Sequence, residues 1–422
     1  MMRSTKTLAS LLAGVLLASG AALSTPANAE PPANPTHVAD QSDTAPVPAT
    51  LRPELRRVVR AGAVGVSAQV VDRGEVWRGA AGAARLRPNR PAVPSAHFRA
   101  ASVTKTLTAV LALQQVQRGR WTMDTTIGDV LPGLWPARSD VTVAQLLSHR
   151  SGAPDYLSVL TSRGTTVPKL LRIISNRRTD RALVRVAKRQ DWLFEPGTGF
   201  SYSNTNYVII GLMLRRATGF SLPKLAQRRI FAPARMTRSS WPFAKGFPAP
   251  KLREYAAFGK RRIDLSTFSP TMFSAAGALV TTARDLNRFQ RSLSRGDLLA
   301  PRLVRLMRSV VTPAEETGLG VAYGYGSYRL PDPCRNGGSL HGHDGASFGT
   351  QTLSFTSGNG RRRVTVAMTG RQYGNPEQPA FAALNEFLVA AFASSCRLGP
   401  DQDGERGLLD SVDRVVPGFV AR

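Results

Sequence analysis

Phe98-Arg99-Ala100-Ala101-Ser102-Val103-Thr104-Lys105-Thr106-Leu107-Thr108-Ala109 decides how the rest of the chain is read. It has the character of a tight turn opening into an apolar helix that runs to Gly119. Residues three apart share a helix face, which puts Ser102 at the helix start and Lys105 one turn along. A serine hydroxyl is a weak nucleophile until a neighbour takes its proton, and a part-desolvated lysine at this spacing can do so or tune another base. The helix N-terminus adds backbone N–H groups and a positive dipole end where an oxyanion can form. Ser-x-x-Lys is a loose pattern all the same. A serine there can simply start a core helix, and a second copy stands at Ser221-Leu222-Pro223-Lys224, where Pro223 and the stop at Gly219 mark an ordinary N-cap.

With 422 residues the chain can bury a large core in more than one lobe. The apolar fraction of 42% and charged fraction of 20% are those of a globular protein, but 56 Lys and Arg against 28 Asp and Glu leave a net charge of +28. Such an excess suits an anionic partner such as nucleic acid, an acidic polymer or lipid headgroups. The basic residues are scattered in doublets and triplets, such as Arg177-Arg178, Arg215-Arg216 and 361–363, which favours solvated faces. Nucleic acid is therefore not expected, and an anionic cell-wall polymer is the one such partner kept.

Arg3 and Lys6 precede an apolar run over 8–23, and Ala27-Asn28-Ala29 follows before Glu30. This predicts a Sec-type signal peptide over 1–29, cleaved after Ala29, and a Pro-, Ala- and Thr-rich leader over 30–50. No later run is long and apolar enough to span a bilayer, and no Cys near the cleavage site suggests a lipid anchor. A secreted location, extracellular or cell-wall associated and without a membrane anchor, is the expectation. In a secreted chain the lone pair Cys334 and Cys396 suggests a bridge, which would add roughly 4 kcal/mol on chain-entropy grounds; two separate buried thiols are the alternative. His341-Gly342-His343 has neither a neighbouring cysteine nor an acidic cluster to complete a metal site, so no metal or cofactor is expected.

Alternation over 63–71 and 75–82 about Asp72-Arg73-Gly74 predicts strand–turn–strand. Thr142-Val143-Ala144-Gln145 is a capping-box pattern opening a helix over 143–148, and helices are expected near 179–189, 205–218 and 222–231. From about Gly320 the segments 321–328, 350–356 and 363–368 read as strands between glycine-rich turns, before a last amphipathic helix over 380–394. Strands at both ends bracket a helical middle, so one sheet built from both ends, with a helical lobe inserted over roughly 106–270, is the economical architecture.

Tyr202-Ser203-Asn204 lies in a polar turn before an apolar helix, where a phenol and a carboxamide two residues apart can face one cleft. Beside Lys105 the Tyr202 phenol is expected to drop in pKa, to act as a phenolate base, and then to donate to the leaving group. Asn204 would hold substrate or Lys105; a capping Asn beside a packing Tyr is the plainer reading. Gly342-His343-Asp344-Gly345-Ala346 precedes a strand. There the Ala346 N–H can complete an oxyanion hole with that of Ser102, an edge strand can bind substrate backbone, and His343 brings a proton-shuttling ring. The alternative is a glycine-rich turn with a surface histidine. Gly345-Ala346-Ser347-Phe348-Gly349 fits G-x-S-x-G, but His37, His97, His149, His341 and His343 all precede Ser347, and a strand-like segment follows it. Both run against a nucleophile elbow.

Ser-x-x-Lys, then Tyr-x-Asn, then His-x-Gly before a C-terminal strand resembles the serine β-lactamase/DD-peptidase superfamily, and is similar more narrowly to secreted D-alanyl-D-alanine carboxypeptidases and class C β-lactamase-like hydrolases. Segments 98–119, 145–152, Pro196-Gly197 with 200–211, and Ser274-Ala275-Ala276-Gly277 fit the same pattern, over roughly 50–397. The resemblance implies an α+β, β-lactamase/transpeptidase-like fold over 51–397: an antiparallel sheet flanked by helices plus an inserted all-helical lobe, with a tail over 398–422. It implies Ser102 as the acylated residue, Lys105 and Tyr202 as proton carriers, and Asn204, His343, Gly345 and Ala346 at the substrate. It also implies a Cys334–Cys396 bridge like that of the secreted carboxypeptidases. Those carboxypeptidases tend to carry Thr where Asp344 and Ala346 stand here, and their carboxylate-reading Arg falls on Tyr328, with Arg329 adjacent. A penicillin-binding, D-alanyl-D-alanine carboxypeptidase-like hydrolase acting on peptidoglycan peptides is the leading expectation. Esterase, D-amino-acid amidase and β-lactamase on ester or β-lactam substrates are the alternatives within the fold, and a catalytically silent cell-wall-binding protein is the alternative outside it.

Overall fold

The two ends of the chain meet in the middle of one antiparallel sheet. Its strands are β1 (Gly65–Asp72), β2 (Glu75–Arg85), β3 (Arg90–Pro91), β4 (Ala322–Tyr323), β5 (Tyr328–Pro331), β6 (Ser339–Ala346), β7 (Thr350–Ser357) and β8 (Arg362–Thr369), in the order β3-β2-β1-β8-β7-β6-β5-β4. β1 runs antiparallel to both neighbours, with Gly65 opposite Gly82 of β2 and Thr369 of β8. The computed structural model describes residues 51–258, 260–334, 338–373, 375, 377–396 and 405–409, so the expected signal peptide and leader lie outside the described residues.

Alternation along the strands separates two packing faces. Val66, Ala68 and Val70 with Val364, Val366 and Met368 form an apolar cluster with α1 (Leu51–Arg60) and the C-terminal helix Pro379–Ala393. The first helix inserts Leu51, Leu55 and Val58, spaced for one helix face. Burying each such large side chain stabilises the fold by about 1.5–3 kcal/mol. The other face carries polar residues: Asn287 donates from Nδ2 to the Gln69 carbonyl oxygen at 3.0 Å, and Thr365 Oγ1 donates to Asn287 Oδ1 at 2.8 Å.

Between β3 and β4 the chain is mostly helical. α2 (Thr104–Gln117) is buried from Thr104 to Gln115 on all sides, as its near-continuous apolar sequence requires. α3 (Val143–Leu147) starts at the expected capping box: Gln145 N donates to Thr142 Oγ1 at 3.2 Å, and Thr142 N to Gln145 Oε1 at 2.9 Å. Then come α4 (Tyr156–Ser162), α5 (Asn204–Thr218), α6 (Ala283–Arg295) and, after the sheet, α7 (Pro379–Ala393). α5 stops at Gly219, which adopts φ +70° where a left-handed cap is needed.

Two sequence expectations change. The strand foreseen over 321–328 divides into β4 and β5, because the chain turns between them and Gly324 N bonds back to the Ser327 carbonyl oxygen at 2.9 Å. The glycine-rich segment around His343 is strand β6, paired with β5 and β7. Its glycines suit close approach rather than turning, since a Cβ at Gly342 would collide with the β7 backbone. Within the tail, Leu408 is fully buried in the cluster beneath the sheet. Cys334 and Cys396 are joined in a disulfide that ties the segment after β5 to the end of α7.

Candidate active site

Ser102 sits in a single 3₁₀ turn, Ala101–Val103, immediately before α2. Ala101 is held at φ +47°, a left-handed conformation that costs a non-glycine residue energy and persists only where surrounding packing enforces it. Lys105 follows one turn on and is completely buried, and its Nζ donates to three oxygens. These are Ser102 Oγ at 2.9 Å, Asn204 Oδ1 at 2.8 Å and the Ala276 carbonyl oxygen at 3.0 Å. Burial lowers the Lys105 pKa to about 7, against the opposing pull of the Asp155 and Asp344 carboxylates. At neutral pH a large fraction of this amine is therefore uncharged, with a lone pair able to accept the Ser102 proton.

Asn204 opens α5, and its side chain is oriented by a residue that the sequence analysis did not single out. Asp155, at the start of α4, accepts the Asn204 backbone N–H at 2.9 Å and its Nδ2 at 3.3 Å. The same carboxylate accepts the Ser158 backbone N–H and hydroxyl at 3.2 and 2.9 Å, capping α4. With Nδ2 committed to Asp155, Oδ1 is left for Lys105. An acidic residue before a helical run is the signal that could have pointed to Asp155.

Tyr202 meets the same lysine from the other side. Its ring centre lies 4.8 Å from Lys105 Nζ, and its hydroxyl hydrogen-bonds Ser102. The expected phenolate is overturned: burial pushes the Tyr202 pKa well above its ordinary value, and the nearby Tyr328 and Asp344 push the same way. The cation that was to lower it is itself driven toward neutrality, so little positive charge stands beside the phenol. Tyr202 is thus held as a neutral phenol, and Lys105 is the stronger candidate base.

His149 packs beneath Tyr202 with ring centres 4.1 Å apart. It adopts φ +60°, and its Nδ1 accepts the Ser203 backbone N–H at 3.2 Å, which leaves the ring proton on Nε2. Burial holds its pKa well below the usual histidine range, helped by Lys105 and His343. It is a neutral platform that fixes the Tyr202 turn.

His343 is fully buried on β6. Its Nδ1 donates to the Asp344 carbonyl oxygen at 2.6 Å, and its Nε2 accepts the Tyr323 hydroxyl at 3.2 Å. Burial lowers its pKa despite the adjacent Asp344 carboxylate, so it is a neutral hydrogen-bonding ring. Tyr328 stacks on it with ring centres 4.5 Å apart, and its hydroxyl interacts with the buried Asp344 carboxylate. Arg329, named with Tyr328 as a candidate carboxylate reader, does not join them. Adjacent strand residues face opposite ways, and Arg329 is exposed, donating from Nε to Ser339 Oγ at 2.7 Å. Gly345 packs on the Ser102 turn, where a Cβ would collide with the Ala100 carbonyl oxygen and lie 3.0 Å from the Ser102 nitrogen. Only glycine lets β6 pack this closely on the Ser102 turn.

The two decoy serines separate cleanly from the site. Ser347 Oγ donates to Glu254, whose carboxylate also takes Thr350 Oγ1 at 2.7 Å and Arg99 Nε at 3.1 Å. This is a buried structural knot. Ser221 stands before the helix Leu222–Ala226 with Lys224 exposed.

Comparison with known proteins places these features in a lineage. The D-aminopeptidase of Cereibacter sphaeroides is 27% identical over 370 residues, covering 85% of this chain and 67% of that protein. Penicillin-binding protein 4 of Amycolatopsis lactamdurans is 32% identical over 273 residues, 60% of this chain and 66% of that protein. The crystal structure of a D-stereospecific amidohydrolase from a Streptomyces species superposes with a TM-score of 0.70 at 29% identity, covering 79% of this chain and 98% of that one. It shares the mixed helix and antiparallel-sheet fold, which is the β-lactamase/transpeptidase-like fold. The Beta-lactamase family model matches residues 47–390, and with a serine, lysine, tyrosine and asparagine converging as the motifs foresaw, the chain belongs to that family, within the serine β-lactamase/DD-peptidase superfamily.

Proposed function

We propose that the chain is an exported serine hydrolase that cleaves amides or esters of D-amino acids bearing a free α-ammonium group, through an acyl-enzyme on Ser102. The observation that carries the chemistry is a buried amine with a pKa of about 7, placed 2.9 Å from the Ser102 hydroxyl. Uncharged Lys105 takes the Oγ proton as Oγ bonds to the substrate carbonyl carbon. The oxyanion forms against the N–H groups of Ser102 and Ala346. As the tetrahedral centre collapses, the Tyr202 phenol gives its proton to the departing amine or alcohol and regains one from Lys105. Water then attacks the acyl-enzyme carbonyl with the same groups acting in reverse, freeing the acid and Ser102.

The substrate class rests on charge. Where a carboxypeptidase would set a cation to read a C-terminal carboxylate, this chain has neutral Tyr328, an outward Arg329 and the buried carboxylate of Asp344. A negative centre beneath the cleft attracts an ammonium and opposes a carboxylate. The D-aminopeptidase and D-stereospecific amidohydrolase relatives support the same class. The likeness to penicillin-binding protein 4 keeps D-alanyl-D-alanine carboxypeptidase activity as the second reading. Export is supported by the N-terminal sorting pattern and by a disulfide, which persists in oxidising compartments.

The test is a panel of D-alanine p-nitroanilide, its L enantiomer, its N-acetylated form and an N-acylated peptide ending in D-Ala-D-Ala. The free-amine D substrate should exceed its acetylated form by about tenfold or more in kcat/KM, and Ser102→Ala should abolish both. A higher kcat/KM for the D-Ala-D-Ala peptide would transfer the assignment to carboxypeptidase. Turnover surviving in Ser102→Ala would end the acyl-enzyme proposal.

A further inference from the structure

Sharing no residue with the catalytic cleft, an open groove of about 800 Å³ runs beside the edge of α6, and its lining is dominated by arginine. α6 contributes Arg284, Arg288, Arg291 and Arg295, spaced by four, three and four residues and therefore on one helix stripe. The β1–β2 hairpin contributes Arg73 and Arg78, and the segment entering β8 contributes Arg361 and Arg363. Among the described residues, no acidic side chain lines the groove. On the elements that line it, Asp72 pairs with Arg73 at 3.0 Å and Asp285 with Arg288 at 3.6 Å. Glu75 lies at the hairpin, outside the lining.

Like charges one turn apart weaken a helix, so this stripe is a cost to the isolated fold. Burial, and after it the positive field of Arg291, lowers the Arg363 pKa. The polar floor is built. Asn287 is locked between Gln69 and Thr365, which holds α6 on the sheet and sets the distance between the arginine stripe and the hairpin. Among the described residues, Val71 and Val76 are the only apolar side chains in the lining, and no aromatic ring is present.

We propose that this groove binds an extended phosphate-rich polyanion that carries no bases. The guanidinium fork matches phosphate oxygens bidentately, and eight of them spread over three elements exceed what one phosphate can engage, so the ligand is a chain of such groups. A groove without aromatic rings offers no stacking platform, which sets the ligand apart from single-stranded nucleic acid. Bound here, the polymer leaves the Ser102 cleft open, and the groove holds the hydrolase on an anionic matrix while it turns over small substrates.

The probe is long-chain inorganic polyphosphate, titrated against the full chain by calorimetry at several salt concentrations. Polyglutamate and an oligothymidylate of matched charge serve as comparison ligands. Arg291→Glu with Arg295→Glu should weaken polyphosphate binding at least tenfold and lower the slope of log K against log salt by about 1 to 2. Arg302→Glu with Arg305→Glu, which makes the same charge change on the exposed face of a different helix, should weaken it less than threefold. Both double variants should keep wild-type p-nitrophenyl ester turnover, which confirms their folding and separates this test from that of the active site. Absence of polyphosphate binding at low salt overturns the proposal, as does equal weakening in the two double variants. Equal or tighter binding of polyglutamate overturns the choice of phosphate, and equal or tighter binding of oligothymidylate overturns the exclusion of bases.

Discussion

Two basic sites of the molecule, Lys105 and the α6 groove, differ in depth. Lys105 is a single amine enclosed by Ser102, Asn204 and Ala276, and burial brings its pKa to about 7. The α6 groove gathers eight cations, and those at Arg73, Arg78, Arg284, Arg291, Arg295 and Arg361 are exposed. Guanidinium groups do not deprotonate at any pH a protein survives, so the groove is a fixed field. The buried amine sits near the midpoint of its titration and can accept a proton. Desolvation, rather than the number of charges, separates a reagent from a surface.

Lys105→Arg breaks this contrast most directly, because it keeps the charge and removes the titration. Acylation should fall by about 10³–10⁴-fold, measured as single-turnover labelling of Ser102; retention of activity would place the base elsewhere. In the wild type, kcat/KM should rise with pH through about 7 and then level off, as Lys105 loses its proton. Tyr202→Phe comes next. It removes the proton for the leaving group, so amide turnover should drop by about 10²-fold, and ester turnover less, since an alkoxide or phenoxide departs more readily than an amide anion. Equal losses on both substrates would assign Tyr202 a positioning role.

Acid stability sharpens the same comparison. Burial depresses His149 and His343, so below pH 6.5 the unfolded chain binds protons that the folded chain refuses. Stability therefore falls as pH drops, by about 1.4 kcal/mol per pH unit for each histidine until its folded pKa is reached. Between pH 6.5 and 5 denaturant midpoints should decline accordingly, and His343→Asn should flatten the slope. The groove arginines contribute nothing over that range. Asp155→Asn should have the smallest effect, about tenfold in kcat/KM. Asn204 would lose the constraint that points Oδ1 at Lys105, and the pH profile should move down from 7 because one carboxylate that favours the ammonium is gone.

What could be seen in the sequence follows from the range of the forces involved. Ser102 and Lys105 were legible because helix geometry fixes i and i+3 locally, and the sheet strands were legible because alternation is local too. The charge state of Tyr202 was not, because it depends on burial by segments far away in sequence. Asp155 and His149 escaped for the same reason: each acts through a neighbour, Asn204 or Tyr202, that only folding supplies. Arg329 was a candidate beside Tyr328, although strand alternation alone could have set the two on opposite faces. β6 was taken for a turn because Gly342 and Gly345 look like turn residues, while their role is to let strands and the Ser102 turn touch. The arginine stripe of α6 was hidden in a composition that looked evenly scattered.

Two of the three acceptors around Lys105 come from positions 99 and 171 residues further along the chain, and His343 on β6 comes later still. A ribosome delivers the nucleophile long before the groups that dehydrate its partner. In the growing chain Lys105 stands in water with a pKa near 10.4, almost wholly protonated, and Ser102 has no base. Reactivity appears only when the distal segments close over the lysine. The hydrolase is thus latent during synthesis, and covalent labelling of Ser102 doubles as an assay for completed folding.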